Sequence, residues 1–115
     1  MSSESAISPE DSPTKDIDEV VHQRVRLGLL TIANEARRVE FRFLQDSMDL
    51  TAGNLSQHIR VLEEAGLIRV IKGTKGRRPR TWVSVTKAGR QALHDEVASL
   101  KALIHRVERA GDPMT

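Results

Sequence analysis

Hydrophobic positions repeat along this chain with two periods, and the switches between them mark out its elements. From about Ile17 to Ala36, Val21, Val25, Leu29, Ile32 and Ala36 recur at three- and four-residue spacing, one face of a helix. Leu27 and Leu30 widen that face, so this helix is expected to be buried on more than one side. Arg38-Val39-Glu40 alternates polar and apolar, which predicts a very short strand, and Phe41, Leu44 and Met48 predict a short second helix turned inward.

The third helix has both of its ends signalled. Thr51 is a good N-cap, Leu55, Ile59 and Leu62 form the buried stripe, and Gly66 can take the left-handed conformation that ends a helix while Leu67 folds back on the last turn. The period then becomes two. Leu67 to Ile71 is β-branched and apolar, and in Arg80 to Val85 the residues Thr81, Val83 and Val85 alternate with Trp82 and Ser84. Between them Lys72 to Pro79, with two glycines and a proline, reads as the connection of a hairpin. Thr86 caps a last helix reaching about Arg109, in which Leu93, Val97, Leu100, Ile104 and Val107 follow spacings of four, three, four and three, a heptad seam.

The predicted order is therefore α-β-α-α-β-β-α, a mainly α chain with a small β-hairpin (α+β) in which a helix-turn-helix is followed directly by a wing. Residues 1–15, rich in Ser, Pro and acids, are expected to be a disordered tail, 16–110 the folded domain, and 111–115 a frayed end. The chain's 115 residues suit one domain. Aromatic residues make up only 3%, so the core must be aliphatic, and a stacking platform for single-stranded nucleic acid is disfavoured. The absence of Cys excludes disulfides, thiolate metal sites and cysteine nucleophiles. No run reads as a membrane span or a signal peptide, which together with the lack of Cys fits an expectation of a cytoplasmic protein.

Charge changes the picture more than its net value of +2 implies. Met1 to Glu19 carries six acids against Lys15 alone, whereas Ala65 to His94 has no acid and eight cations, among them Lys72, Lys75, Arg77, Arg78 and Arg80. Such asymmetry creates a local positive field. With Leu55, Ile59 and Leu62 inward, the third helix turns Ala52, Gly53, Asn54, Ser56, Gln57 and Arg60 outward. Small residues at the helix start permit close approach to a groove, and amide and guanidinium groups read base edges.

Thr51 to Ile68 resembles the recognition helix of MarR/ArsR-like winged-helix regulators, and Val83-Ser84-Val85-Thr86-Lys87-Ala88-Gly89 is similar to their second wing strand and following helix start. The resemblance covers about residues 20–108. It implies a DNA-binding transcriptional regulator and not an enzyme. Thr51, Ala52, Gly53, Asn54, Ser56, Gln57 and Arg60 would approach the major groove. Lys72, Lys75, Arg77, Arg78 and Arg80 would reach flanking backbone or minor groove, and Leu93, Val97, Leu100, Ile104 and Val107 would close a homodimer on a pseudo-palindromic duplex site. The chain lacks the Cys pair of ArsR metal sensors and the wing Asp of many MarR proteins, and it has Arg42 where the second helix commonly begins with Ser or Thr. The effector class therefore stays open: a small-molecule effector is compatible with the pattern but unnamed by it. No cofactor is expected. His94 and His105 share a helix face but lie about 16 Å apart, too far to hold one ion. Two other readings stay open, an architectural DNA-binding protein without sequence choice and a protein-docking winged helix.

Overall fold

A computed structural model describes residues 12–111. The elements run α1 (Glu19–His22), α2 (Arg24–Glu35), β1 (Val39–Glu40), α3 (Phe41–Met48), α4 (Ala52–Glu64), β2 (Ile68–Lys75), β3 (Arg78–Val85) and α5 (Lys87–Arg109). The three strands form one antiparallel sheet in the order β1-β3-β2. No described helix is long and apolar enough to cross a membrane.

The core lies where α2, α3 and α4 meet the sheet and the first turns of α5. Its buried members are all aliphatic: Val21, Val25, Leu29, Leu30, Ala33, Val39, Leu44, Leu55, Ile59, Leu62, Leu67, Ile68, Val83, Val85 and Leu93. The stripe expected on α4 is buried as read, with Leu55 and Leu62 fully inaccessible. Ile32 is only half-buried and Ala36 is exposed beyond the end of α2.

The helix expected from Ile17 to Ala36 is two helices. Gln23, with ψ 132°, interrupts it. The Gln23 side-chain oxygen accepts from the Arg26 amide (3.0 Å). Arg26 in turn donates from Nε to the Val20 carbonyl (2.7 Å) and from Nη2 to the Glu19 carbonyl (3.4 Å). Backbone groups on both sides of the break, the Arg26 amide and the Glu19 and Val20 carbonyls, thus find partners, which lowers its cost. The apolar period runs unbroken through the site, since Val21 and Val25 face one core, so the pattern could not reveal it.

The expected tail over residues 1–11 and 112–115 falls outside the described residues. Residues 12–15, expected to be part of that tail, instead form a turn, with Lys15 N bonded to Ser12 O (3.2 Å) and Ile17 N to Thr14 O (3.0 Å). This stretch lies along α5 beside Ala102, Leu103 and Arg106, and Ser99 Oγ donates to the Asp16 carbonyl (3.2 Å).

Two C-terminal caps set the angle of α4. After α3, Asp49 takes the left-handed conformation (φ 53°), while Asp49 N and Leu50 N bond back to Asp46 O and Gln45 O. After α4, Gly66 (φ 77°) does the same, with Gly66 N to Glu63 O and Leu67 N to Leu62 O. Both are Schellman motifs, and Asp is one of the few non-glycine residues that accepts this conformation readily.

The hairpin is longer and tighter than its sequence suggests. Pairing runs from Ile68 opposite Val85 to Lys75 opposite Arg78, leaving only Gly76-Arg77 as the turn. Gly76 has φ 65° and Arg77 does not share it, the pattern of a type II′ turn. Gly73 and Pro79, expected in the connection, sit within the strands opposite Arg80 and Thr74. The Trp82 ring lies over Gly73: an added Cβ would stand 3.0 Å from the ring, so a larger residue there would push the ring aside by a few tenths of an ångström.

Candidate nucleic-acid interface

The outward face of α4 is built by its N-cap and its buried stripe together. Thr51 Oγ1 accepts the Asn54 amide at 3.1 Å, which fixes the first turn. Thr51, Ala52, Gly53, Asn54, Ser56, Gln57 and Arg60 are all exposed. No acid occupies the first turn, so the positive end of the helix dipole is unopposed. An added Cβ at Gly53 would meet nothing within 4 Å, and Gly53 has no positive φ. Glycine inside a helix costs about 1 kcal/mol against alanine, and nothing in the fold itself requires it here.

His58, mid-helix, turns away from this face. Its Nδ1 lies 3.4 Å from Arg26 Nη1. Guanidinium nitrogens only donate, so Nδ1 accepts as the neutral imidazole. Burial, and then the Arg26 charge, hold the His58 pKa below its ordinary 6.5.

The wing's cations are divided between two faces of the hairpin. Lys72 points toward α4 and, with Ser56, Ile59, Arg60, Glu63, Phe41, Val70 and Thr81, lines an open groove of about 440 Å³ between helix and wing. Gly73, opposite Arg80, and Lys75, opposite Arg78, belong to the other face. There the Glu40 carboxylate lies 3.8 Å from Lys75 Nζ and 3.7 Å from Arg80 Nε. Arg77 stands at the exposed turn. Of the twelve residues expected to approach DNA, Ser56, Arg60 and Lys72 thus converge on one groove. The others stay exposed along α4 or are turned to the wing's outer face.

Glu40 was not visible as part of this surface, because the hairpin's own sequence contains no acid. The β1–β3 pairing brings it there by placing Glu40 opposite Trp82. The same pairing seats Arg38 over Trp82, with Cζ 4.5 Å from the ring centroid, and Ser84 Oγ donates to the Arg37 carbonyl (3.0 Å).

On α5 the expected seam divides. Leu93 is 8% exposed and belongs to its own core, so it is unavailable to a partner and the open seam begins at Val97. Val97, Ile104 and Val107 are 41%, 56% and 64% exposed, and Leu100 is half-buried between them. Among the described residues no group of three or more His, Asp or Glu assembles to hold a metal ion.

Known proteins share this arrangement. An uncharacterized protein from Methanocaldococcus jannaschii is 30% identical over 84 residues, 73% of this chain and 91% of that one. The structure of a transcriptional regulator homologue from Pyrococcus horikoshii superposes with a TM-score of 0.73 at 38% identity, covering 78% of this chain and 89% of that chain. A MarR-family transcriptional regulator from Rhodococcus shares the fold, with a TM-score of 0.64 at 22% identity over 89% of this chain and 71% of that one. The family and fold are those of transcriptional regulators and not of enzymes. Residues 25–104 match the winged helix DNA-binding domain family, and the chain belongs to it.

Proposed function

We propose that this winged-helix protein is a sequence-specific regulator of transcription that binds duplex DNA as a homodimer in the cytoplasm, at the nucleoid. The α4 helix enters the major groove with Asn54, Ser56, Gln57 and Arg60 near bases and phosphates. The wing, through Lys72, Lys75, Arg77, Arg78 and Arg80, reaches flanking backbone or minor groove. The observation that carries this reading is the exposed stretch of α4 from Ala52 to Arg60, which has no acid and leaves Gly53 in open space, beside a groove lined by Arg60 and Lys72, with Glu63 one turn further on. A helix start that is small, uncharged and dipole-positive suits close approach to a polyanion.

The dimer is supported by α5. From Val97 to Val107 its apolar side chains keep the heptad spacing yet are largely exposed, and a second copy would bury them. On this reading residues 16–110 form the functional domain, with 87–109 as its dimerisation helix. A twofold dimer reads a pseudo-palindrome with half-sites about 34 Å apart. One structural neighbour, NadR, was solved in complex with 4-hydroxyphenylacetate; a small-molecule effector for the present chain is a part of the proposal without a named site.

The test is selection from a random duplex DNA pool, followed by salt titration of whatever is enriched. An enriched inverted repeat is the expected result. Salt-sensitive binding without enrichment would replace the reading by an architectural one, and no binding would replace it by a protein-docking module.

A further inference from the structure

The wing's positive charge is restrained by an acid from another element. Glu40 belongs to β1, before α3 and α4 and so well ahead of the hairpin in sequence, and its carboxylate stands between two of the five wing cations, 3.8 Å from Lys75 Nζ and 3.7 Å from Arg80 Nε. Glu40 is the residue just before α3, the usual place for a capping side chain, yet it makes no cap hydrogen bond to that helix. Its carboxylate faces the wing instead. Arg80 is further fixed by a bond from Nη1 to the Pro79 carbonyl (3.1 Å). The pairing is well placed to be felt by an approaching polyanion. Lys75 is 71% exposed, and Arg80 and Glu40 are about one-third exposed.

We infer that Glu40 is a positioning residue that holds Lys75 and Arg80 on the outer face of the wing and limits its grip on any DNA backbone, whatever the sequence. This rests on the DNA-binding reading above. The physical reason is that sequence-independent affinity follows the number of phosphates neutralised. A cation already facing a carboxylate contributes less to that count, and the carboxylate itself repels phosphate. Lys72, facing the α4 groove, and Arg77 and Arg78, at and beside the turn, form no ion pair with a described residue, so they remain the wing's unrestrained cations. The hairpin can then be strongly basic in sequence without holding the protein on random DNA.

The experiment measures binding of the full chain to a short random-sequence duplex across a salt series, for the wild type, Glu40→Gln, Arg80→Gln and the double variant. Glu40→Gln is expected to bind several-fold more tightly. Its slope of log affinity against log salt should steepen by up to about 1.8, at ~0.9 for each freed cation. Arg80→Gln should cost more affinity in the Glu40→Gln background than in the wild type, because only there is Arg80 fully available. Unchanged affinity and slope would overturn the inference. Weaker binding would overturn it too, by showing that Glu40 presents the two cations to DNA. A wild type that binds no duplex would sink the DNA-binding reading itself, and is distinguished by needing no variant. Thermal unfolding checks that each variant is folded. If Glu40→Gln is not, Glu40→Asp, one methylene shorter, should shift affinity and slope in the same direction by less, and no shift there would equally overturn the inference.

Discussion

Gly89, on the first turn of α5, lies so close to the Leu67 carbonyl that a Cβ there would stand 2.0 Å from the oxygen. Around this close approach Thr86 ties three elements together. Its Oγ1 donates to the Gly66 carbonyl (2.7 Å) and accepts from the Gly89 amide (3.0 Å), and its amide donates to the Leu67 carbonyl (3.0 Å). The end of α4, the root of the wing and the start of α5 therefore meet on one residue, through its hydroxyl and its amide. This junction sets the angle between the helix and the wing that flank the proposed DNA groove.

The obstacle at Gly89 is backbone and cannot rotate away. Gly89→Ala should therefore destabilise the fold by about 2 kcal/mol or more, as overpacking does at rigid sites. The midpoint of thermal unfolding measures it. An unchanged midpoint would mean that α5 can pull back from Leu67 at little cost.

His58 gives the fold an acid-side weakness. Its pKa is lowered in the folded state by burial and by Arg26, so the unfolded chain binds its proton first as pH falls. The stability that His58 contributes as a neutral acceptor is complete above about 6.5, its unfolded value, and is lost as pH falls through the lower folded value. His58→Gln keeps an acceptor for Arg26 but cannot titrate. Denaturant unfolding of both proteins between neutral and mildly acid pH should show a shallower decline for the variant; parallel curves would remove His58 as a contributor.

Arg77 and Arg78 stand at and beside the exposed turn. Replacing both with Ala should weaken binding on all duplex sequences alike and lower the salt slope by roughly 2, about one for each phosphate that is no longer neutralised. Asn54→Ala or Gln57→Ala should instead relax sequence choice, by about 1–3 kcal/mol at the base each one reads, and leave the slope unchanged. If both sets changed affinity in the same manner, the division between a reading helix and a gripping wing would be wrong.

The open part of the α5 seam is tested at Leu100 and Ile104. Changing both to Asp should yield a folded monomer by light scattering, since two carboxylates in an apolar interface lack partners. Leu93→Asp should unfold the protomer itself, because Leu93 is 8% exposed within its own core. A dimer that survives the first change would place the interface elsewhere.

The order of the elements and the caps at Thr51, Gly66 and Thr86 were legible in the chain, because each depends on residues a few positions apart. The period of Leu55, Ile59 and Leu62, the oxygen of Thr51 and the freedom of Gly66 act within a turn or two, so the outer face of α4 followed from the sequence alone. An aliphatic core followed from the scarcity of aromatic residues. What the tertiary structure decided depends on residues distant in sequence that packing brings together. The break at Gln23 costs less because Arg26 folds back to the carbonyls of Glu19 and Val20, an arrangement the unbroken apolar period conceals. The strands continue past Gly73 and Pro79 because Trp82 covers one, while the sheet register pairs both. Leu93 left the exposed seam because the heptad pattern records only that a side chain is apolar, whereas the crossing of α5 over the core decides which neighbour buries it. Glu40 joined the wing because strand pairing set it opposite Trp82: charge summed along a chain takes no account of the third dimension, and an ion pair forms wherever the fold brings two charges within reach.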